Sequence, residues 1–298
     1  MRALVTLWGA ALAALLCWHA ASAQSPGEAA RRALVLGPGG STGRAWQIGL
    51  LKGLRDAGID LTQADLVVGT SAGAIVGTQL RSGRALDELY EEALSPPRLG
   101  PPIPIDQEYY RETSRLLGSA ENTPALRAQV GQRALAASQV IPEGPALRRL
   151  DITLGPVQDW PDAALKITAV DALDGTVRVF DKTQEVPIRL AVAASIAIPG
   201  WYAPITIGER RYMDGGVAGT HVDQAADYDM VVAILPLPSR LTSRETSTVQ
   251  ARGGQVLEFV PEPGALGSNV MDRTLMGAAA QAGLRQAAAV AAQLQGRW

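Results

Sequence analysis

The sequence predicts an α/β protein with a mostly parallel central sheet and helices on both faces. Two strand-loop-helix units follow one another, with their strands at Ala33–Leu36 and Leu66–Val68. Such units place parallel strands side by side and gather ligands at the carboxyl ends of the strands. The 298 residues are 47% hydrophobic and 19% charged, which suffices for one sizeable core.

The charge balance and the motifs exclude several classes of function. A formal net charge of −2 provides no basic footprint for nucleic acid. We find no fingerprint of a metal site or a cofactor site, so we expect neither a metal nor a cofactor.

The first 23 residues have the pattern of a secretory signal peptide. Arg2 precedes an apolar stretch that runs to about Cys17, and Ala21-Ser22-Ala23 suits cleavage after Ala23. An uncleaved membrane anchor and a buried helix are the alternatives. Cleavage would remove Cys17, the only cysteine, so we expect a mature chain without disulfides. The signal peptide itself predicts export to the periplasm or secretion. Residues 24–31 would be a short linker and residues 32–298 the globular domain.

The elements of the two units follow from helical spacing and from glycine. Trp46, Leu50 and Leu54 lie on one helical face, and this helix should stop at Gly58. The helix of the second unit should span residues 72–82 and end before Gly83.

The middle of the chain, from about 95 to 150, is a candidate lid over the site or an ordinary connector. Prolines between Ser95 and Tyr110 exclude a regular helix there, and helical segments should follow to about Leu150.

Four further elements complete the predicted domain. Leu165–Val170 and Val177–Phe180 should form a hairpin-like pair, and Met230–Leu235 a buried strand. Residues from about 265 to 295 are rich in alanine and should form a C-terminal packing helix. Its charged residues argue against a membrane element.

The segment Gly69-Thr70-Ser71-Ala72-Gly73 carries the first candidate site residue. Glycines two positions before and after a serine relieve crowding at a sharp strand-to-helix turn. Such a turn presents the Ser71 hydroxyl above the sheet at a helix N-terminus, where developing negative charge is favoured. Ser71 is therefore a candidate nucleophile, and a simple helix cap is the alternative.

The glycine-rich loop Gly37–Gly43 carries the second candidate feature. It lacks the Lys-Ser/Thr of a phosphate-binding loop and has no clean dinucleotide fingerprint. Its backbone amides, lying beside the serine turn, could bind the oxyanion of an acyl-transfer intermediate. A purely structural glycine turn is the alternative.

The third motif is Asp214-Gly215-Gly216, which alone would indicate a hairpin turn. Together with the glycine loop and "DLVVGTSAGAIVG", and with "VAASIAIPGWYAPITI" before "YMDGG", it resembles the patatin-like phospholipase family. The resemblance runs over nearly all of Arg32–Pro236.

The resemblance implies a Ser-Asp dyad with Ser71 as nucleophile and Asp214 as base, in a three-layer fold. It also implies an oxyanion hole at Gly39 and Gly40. The remaining motif glycines would support these loops: Gly37, Gly43, Gly69, Gly73, Gly215 and Gly216. The loop departs from the family pattern at Pro38, which has no amide hydrogen, and at Thr42, where the family usually carries a basic residue.

The resulting hypothesis is a serine hydrolase that cleaves carboxylic esters of lipids, with a lipid ester or a phospholipid as substrate and transient contact with a membrane surface. Three alternatives stay open. The first is an α/β-hydrolase with a Ser-Asp-His triad, because His221 follows Asp214 in the appropriate order. The others are an acyltransferase and a lipid-binding protein of weak activity.

Overall fold

The computed structural model describes residues 30–97, 99, 107–117, 122–155 and 157–298. The predicted signal peptide (1–23) and most of the predicted linker (24–31) lie outside these residues, as do parts of the predicted lid (98, 100–106 and 118–121).

The first two strands and the first two helices of the described chain form the two strand-loop-helix units that the sequence predicts. The first part forms β1 (Arg32–Leu36), α1 (Gly40–Asp56), β2 (Leu66–Thr70), α2 (Ala72–Arg81), α3 (Leu86–Leu94), α4 (Gln107–Leu117), α5 (Pro124–Ala136) and α6 (Glu143–Leu154). The second part forms β3 (Leu165–Asp171), β4 (Val177–Phe180), α7 (Ile188–Ser195), β5 (Ile205–Ile207), β6 (Arg210–Asp214), β7 (Met230–Ile234), α8 (Thr242–Ala251), β8 (Gln255–Phe259) and α9 (Met276–Leu294).

The eight strands of the described residues belong to one sheet with the order β5-β6-β3-β2-β1-β7-β8, and β4 pairs with β3. Neighbouring strands run parallel from β8 through β7, β1 and β2 to β3. Strands β4, β5 and β6 pair in antiparallel fashion at one end. The predicted α/β class and the predicted hairpin of β3 and β4 are both confirmed.

The sheet is covered on both faces, because alternate residues of its central strands enter different cores. Leu34 and Leu36 pack in a large core formed with helices that include α1, α2, α3, α7 and α9. Ala33 and Val35 pack in a smaller core on the other face, formed with α8 and the short turn at Val222–Ala225. Strands that are buried on both faces have continuous apolar sequences, as β1 and β2 do.

The C-terminal segment differs from the prediction. Its helix begins at Met276 rather than near 265, and a short 3-10 turn, Arg273–Leu275, precedes it. The Asp272 side chain accepts a hydrogen bond from the Thr274 amide, which starts the turn. Residues 265–272 instead form an irregular segment beside the start of α1, where the Thr42 amide donates to the Val270 carbonyl at 3.0 Å.

No helix within the described ranges is both long enough and apolar enough to cross a bilayer.

Candidate active site

Ser71 lies in a strained turn between β2 and α2. Its backbone has φ 54° and ψ −115°, a conformation that residues other than glycine rarely adopt. The Ser71 amide donates a hydrogen bond to the Ser195 hydroxyl at 2.9 Å, and the Ser71 side chain is buried. The strand and the helix together hold the conformation, so the Ser71 hydroxyl has a defined position at the carboxyl end of the sheet.

The two flanking glycines are required by close approach of the backbone. A Cβ atom on Gly73 would lie 1.9 Å from the Leu36 carbonyl oxygen at the end of β1. A Cβ atom on Gly69 would lie 2.7 Å from the Ala74 Cα atom. Any side chain at either position would push α2 away from the sheet, so the spacing of the motif allows α2 to start directly above the strands.

Strand β3 brings Asp214 beside this turn. Strand β4 occupies one edge of β3 over residues Ile167–Val170. On the other edge, Thr168 pairs with Thr70 of β2, and the next residue, Ala169, pairs with Asp214 of β6. Strand β6 therefore continues along the edge of β3 where β2 ends, and Asp214 faces the turn that β2 enters.

The two side chains meet in a buried hydrogen bond. The Ser71 Oγ donates to Asp214 Oδ2 at 2.6 Å, and the Gly216 amide donates to Asp214 Oδ1 at 2.7 Å. Burial raises the pKa of Asp214 from 3.8 to about 7, against the opposing effect of these two hydrogen bonds. A carboxylate with this pKa is a far stronger base than an exposed aspartate.

The glycine loop contributes residues to the pocket that contains Ser71. Helix α1 begins at Gly40, and the first amides of a helix have no acceptor within it. Gly40 and Ser41 line the pocket together with Ser71, whereas Gly39 precedes the helix and is not among the lining residues. The assignment of Gly39 and Gly40 to an oxyanion hole stays a prediction, and the amide of Ser41 joins the candidates.

Other motif glycines have structural partners. The Gly37 amide donates to the Ile234 carbonyl at 3.0 Å, so it extends the pairing of β1 with β7. Gly43 lies in α1, and a Cβ atom there would meet Pro236 at 2.8 Å. Gly215 and Gly216 form a 3-10 turn directly after Asp214.

His221 is buried near the pair but contacts a different group. Its Nε2 atom lies 2.9 Å from the Gly215 carbonyl oxygen. The carboxylate oxygens of Asp214 are bound by Ser71 and Gly216 instead. The imidazole therefore contacts the loop that follows Asp214, and the arrangement favours a dyad over a triad.

The pocket above Ser71 combines apolar and cationic walls. Its volume is about 570 Å³ including its opening to solvent. Ile75, Leu150, Ile196 and Ile198 supply apolar surface. Arginines at positions 44, 149 and 273 and the side chain of Tyr202 also line it. Sequence analysis assigned no role to the three arginines, Tyr202 or Ser195, because contacts between segments distant along the chain bring them to this site.

A hydroxyl presented on a strained strand-to-helix turn beside a buried carboxylate is typical of serine hydrolases. Comparisons with known proteins give relatives in sequence and in fold. The chain is 35% identical over 188 residues to an uncharacterized NTE family protein of Mycobacterium tuberculosis and to one of Mycobacterium bovis. These matches cover 63% of this chain but only 43% of the relatives' length.

Two solved structures are also similar. VipD from Legionella pneumophila has a TM-score of 0.47 and 14% identity, over 89% of this chain and 67% of that chain. The type III effector ExoU has a TM-score of 0.40 and 16% identity, over 88% of this chain and 53% of that chain.

The family follows from the sequence itself. The sequence model of the patatin-like phospholipase family matches residues 34–225, a range that includes both Ser71 and Asp214. The chain belongs to the patatin-like phospholipase family. The resemblance seen in the motifs is thus confirmed.

Proposed function

We propose that the protein is a serine hydrolase that cleaves carboxylic esters of lipids through a Ser71–Asp214 dyad. The observation that carries this proposal is the 2.6 Å hydrogen bond from Ser71 Oγ to a buried carboxylate that is bound by no other side chain among the described residues. Family membership and an apolar pocket wall beside the hydroxyl support a lipid substrate.

The chemistry proceeds in two half-reactions. Ser71 Oγ attacks the ester carbonyl while its proton moves to Asp214 Oδ2, and the backbone amides at the start of α1 stabilise the oxyanion. The alcohol leaves with that proton and the acyl group remains on Ser71. Water then attacks the acyl-enzyme, Asp214 takes the proton of the water, and collapse of the intermediate releases the fatty acid and returns the proton to Ser71.

A fluorophosphonate probe tests the nucleophile, because an activated serine beside an oxyanion site reacts with it as with an ester. We expect stoichiometric labelling of Ser71, identified by peptide mass spectrometry, and none in Ser71→Ala. Labelling of a different serine would exclude the assignment.

The variant His221→Ala separates the dyad from the triad in the same assay. Its labelling and ester hydrolysis should stay close to those of the wild type, because the His221 Nε2 atom lies against the Gly215 carbonyl oxygen and the Asp214 carboxylate is bound by Ser71 and Gly216. A folded His221→Ala protein as inactive as Ser71→Ala would establish the triad instead.

Product analysis separates the remaining alternatives. Incubation with lipid esters should release free fatty acid. An acyl group transferred to an added alcohol in place of water would indicate an acyltransferase, and intact bound lipid would indicate a lipid-binding protein.

We also propose export, with removal of residues 1–23 and residues 32–298 as one domain. The motivation is the signal-peptide pattern of the N-terminus. The segment from 95 to 150 is proposed as a lid because Leu99 and α6 residues, among them Ala146 and Leu150, line the pocket over Ser71.

A further inference from the structure

Three arginines line the pocket that contains Ser71, and the proposed hydrolytic step uses none of them. Arg44 lies on α1, Arg149 on α6 and Arg273 on the turn before α9. These elements are far apart along the chain, so only the folded protein brings the three guanidinium groups to one cavity.

Arg44 is the most deeply placed of the three. It is only 7% exposed, and it forms no ion pair with any carboxylate of the described residues. Burial and then the positive charge of Arg273 lower its pKa to about 10. The nearby Glu92 carboxylate is bound by Arg84, so Arg44 carries a buried charge without a counterion of its own. A buried charge of this kind is costly unless an anion joins it.

The other walls of the pocket offer Arg44 no counterion either. Among the described lining residues there is no aspartate or glutamate, and the buried Asp214, which accepts a hydrogen bond from Ser71, is not a lining residue. Arg273 donates one hydrogen bond to the Pro97 carbonyl at 2.8 Å, which positions the guanidinium without neutralising it. Burial raises the pKa of Tyr202 and the positive charges of Arg149 and Arg273 oppose this effect; all three residues line the pocket.

The same wall is poor in groups that would bind a cation. An ammonium headgroup would meet a wall of guanidinium groups, whereas a phosphate could accept bidentate hydrogen bonds from an arginine fork. The apolar side chains Ile75, Leu150 and Ile196 lie in the same pocket and suit an acyl chain.

We propose that Arg44, Arg149 and Arg273 form a subsite for the phosphate of a glycerophospholipid whose headgroup has a net negative charge. The inference rests on the proposed hydrolase function and adds headgroup selection to it. Anionic phospholipids bind with the phosphate on the arginines and the ester at Ser71. Zwitterionic phospholipids bind less well, because their positive group repels the arginines, and uncharged diacylglycerols gain nothing from this wall.

Three soluble esters with identical acyl chains test the subsite in the absence of a lipid–water interface. They are dihexanoyl-phosphatidylglycerol, dihexanoyl-phosphatidylcholine and dihexanoylglycerol, each used below its critical micelle concentration, with fatty acid release as the readout. We expect kcat/KM for the phosphatidylglycerol to exceed that for either of the others by about tenfold or more, as charge-assisted hydrogen bonds would produce.

Arginine variants assign this preference to the subsite. Arg44→Gln and Arg273→Gln should each lower the ratio of kcat/KM for the phosphatidylglycerol over dihexanoylglycerol by about tenfold. Arg285→Gln removes the same charge from the exposed face of α9 and should leave the ratio unchanged. A wild-type ratio near one, or equal ratios in Arg44→Gln and Arg285→Gln, would overturn the proposal, although hydrolysis itself would still support the hydrolase.

Binding to a Ser71→Ala protein tests the subsite without catalysis. Calorimetry should show that dihexanoyl-phosphatidylglycerol binds Ser71→Ala about tenfold more tightly than it binds Ser71→Ala/Arg44→Gln. Equal affinities would refute the subsite even if no ester were hydrolysed. Inorganic phosphate serves as the second probe, and if it bound more tightly than the lipid the arginines would hold a free anion and not a headgroup.

Discussion

Replacing Asp214 with asparagine should abolish hydrolysis and at the same time stabilise the folded protein at alkaline pH. Asparagine keeps the shape of the side chain, and its amide oxygen can still accept the hydrogen bond from the Gly216 amide. It removes the base that would take the Ser71 proton, so turnover should fall by about a hundredfold or more. It also removes a charge that is only 4% exposed.

The size of the stabilisation follows from the pKa of Asp214. Because burial raises the pKa from 3.8 to about 7, the folded protein holds the proton more tightly than the unfolded chain does. Below pH 3.8 both states are protonated and the carboxylate costs nothing. Between the two values the free energy of unfolding falls as the pH rises, and the total loss is about 4 kcal/mol above pH 7. The Asp214→Asn variant would not suffer this loss.

Urea unfolding of both proteins between pH 5 and pH 8 measures the effect. The stability of the variant relative to the wild type should increase by about 3 kcal/mol over this range. Asp159→Asn makes the same change at an exposed position and should show no comparable trend. A difference between Asp214→Asn and wild type that did not depend on pH would refute the view that burial raises the pKa of this carboxylate.

Three further predictions concern the same site and the N-terminus. Ser195→Ala leaves the buried Ser71 amide without its acceptor and should lower the free energy of unfolding by about 1–3 kcal/mol, together with kcat, whereas unchanged urea unfolding would mean that another group replaces the hydroxyl. The kcat/KM of the wild type should fall about tenfold per pH unit below about pH 7, because Asp214 must be deprotonated to act. This acid limb should persist in His221→Ala, and its loss there would identify the imidazole as the titrating base. N-terminal sequencing of exported protein should begin at Gln24, whereas an intact Met1 in a membrane fraction would favour an anchor.

The turn at Ser71 was predictable because its constraints are local, whereas Asp214 was assigned only through the resemblance to the patatin-like phospholipase family. Gly69 and Gly73 are needed for the turn at Ser71, and the physical reason, contact with neighbouring backbone, lies within one strand-turn-helix unit and the strand beside it. The alternation of strands and helices was predictable for a similar reason, since continuous apolar runs indicate strands that are buried on both faces.

Other parts of the site depend on contacts that no local pattern encodes. Ser195 holds the Ser71 amide across 124 positions of sequence, and Arg273 reaches the pocket only because the C-terminal segment folds over the start of α1. The alanine-rich composition suggested a helix from about 265, but the turn at Asp272 delays it to Met276. The strength of Asp214 as a base was equally hidden, because it comes from burial and not from any neighbouring residue in sequence.

Strands β2 and β6 pair with the same edge of β3, so the relative position of Ser71 and Asp214 does not depend on the segments between them. Ser71 and Asp214 are 143 positions apart, yet their spacing depends on two adjacent residues of one strand, Thr168 and Ala169. Segments between α2 and β3 can therefore lengthen, shorten or be exchanged without moving the pair. Since those segments include the α6 wall of the pocket, the shape of the pocket can change during evolution while Ser71 and Asp214 keep their positions.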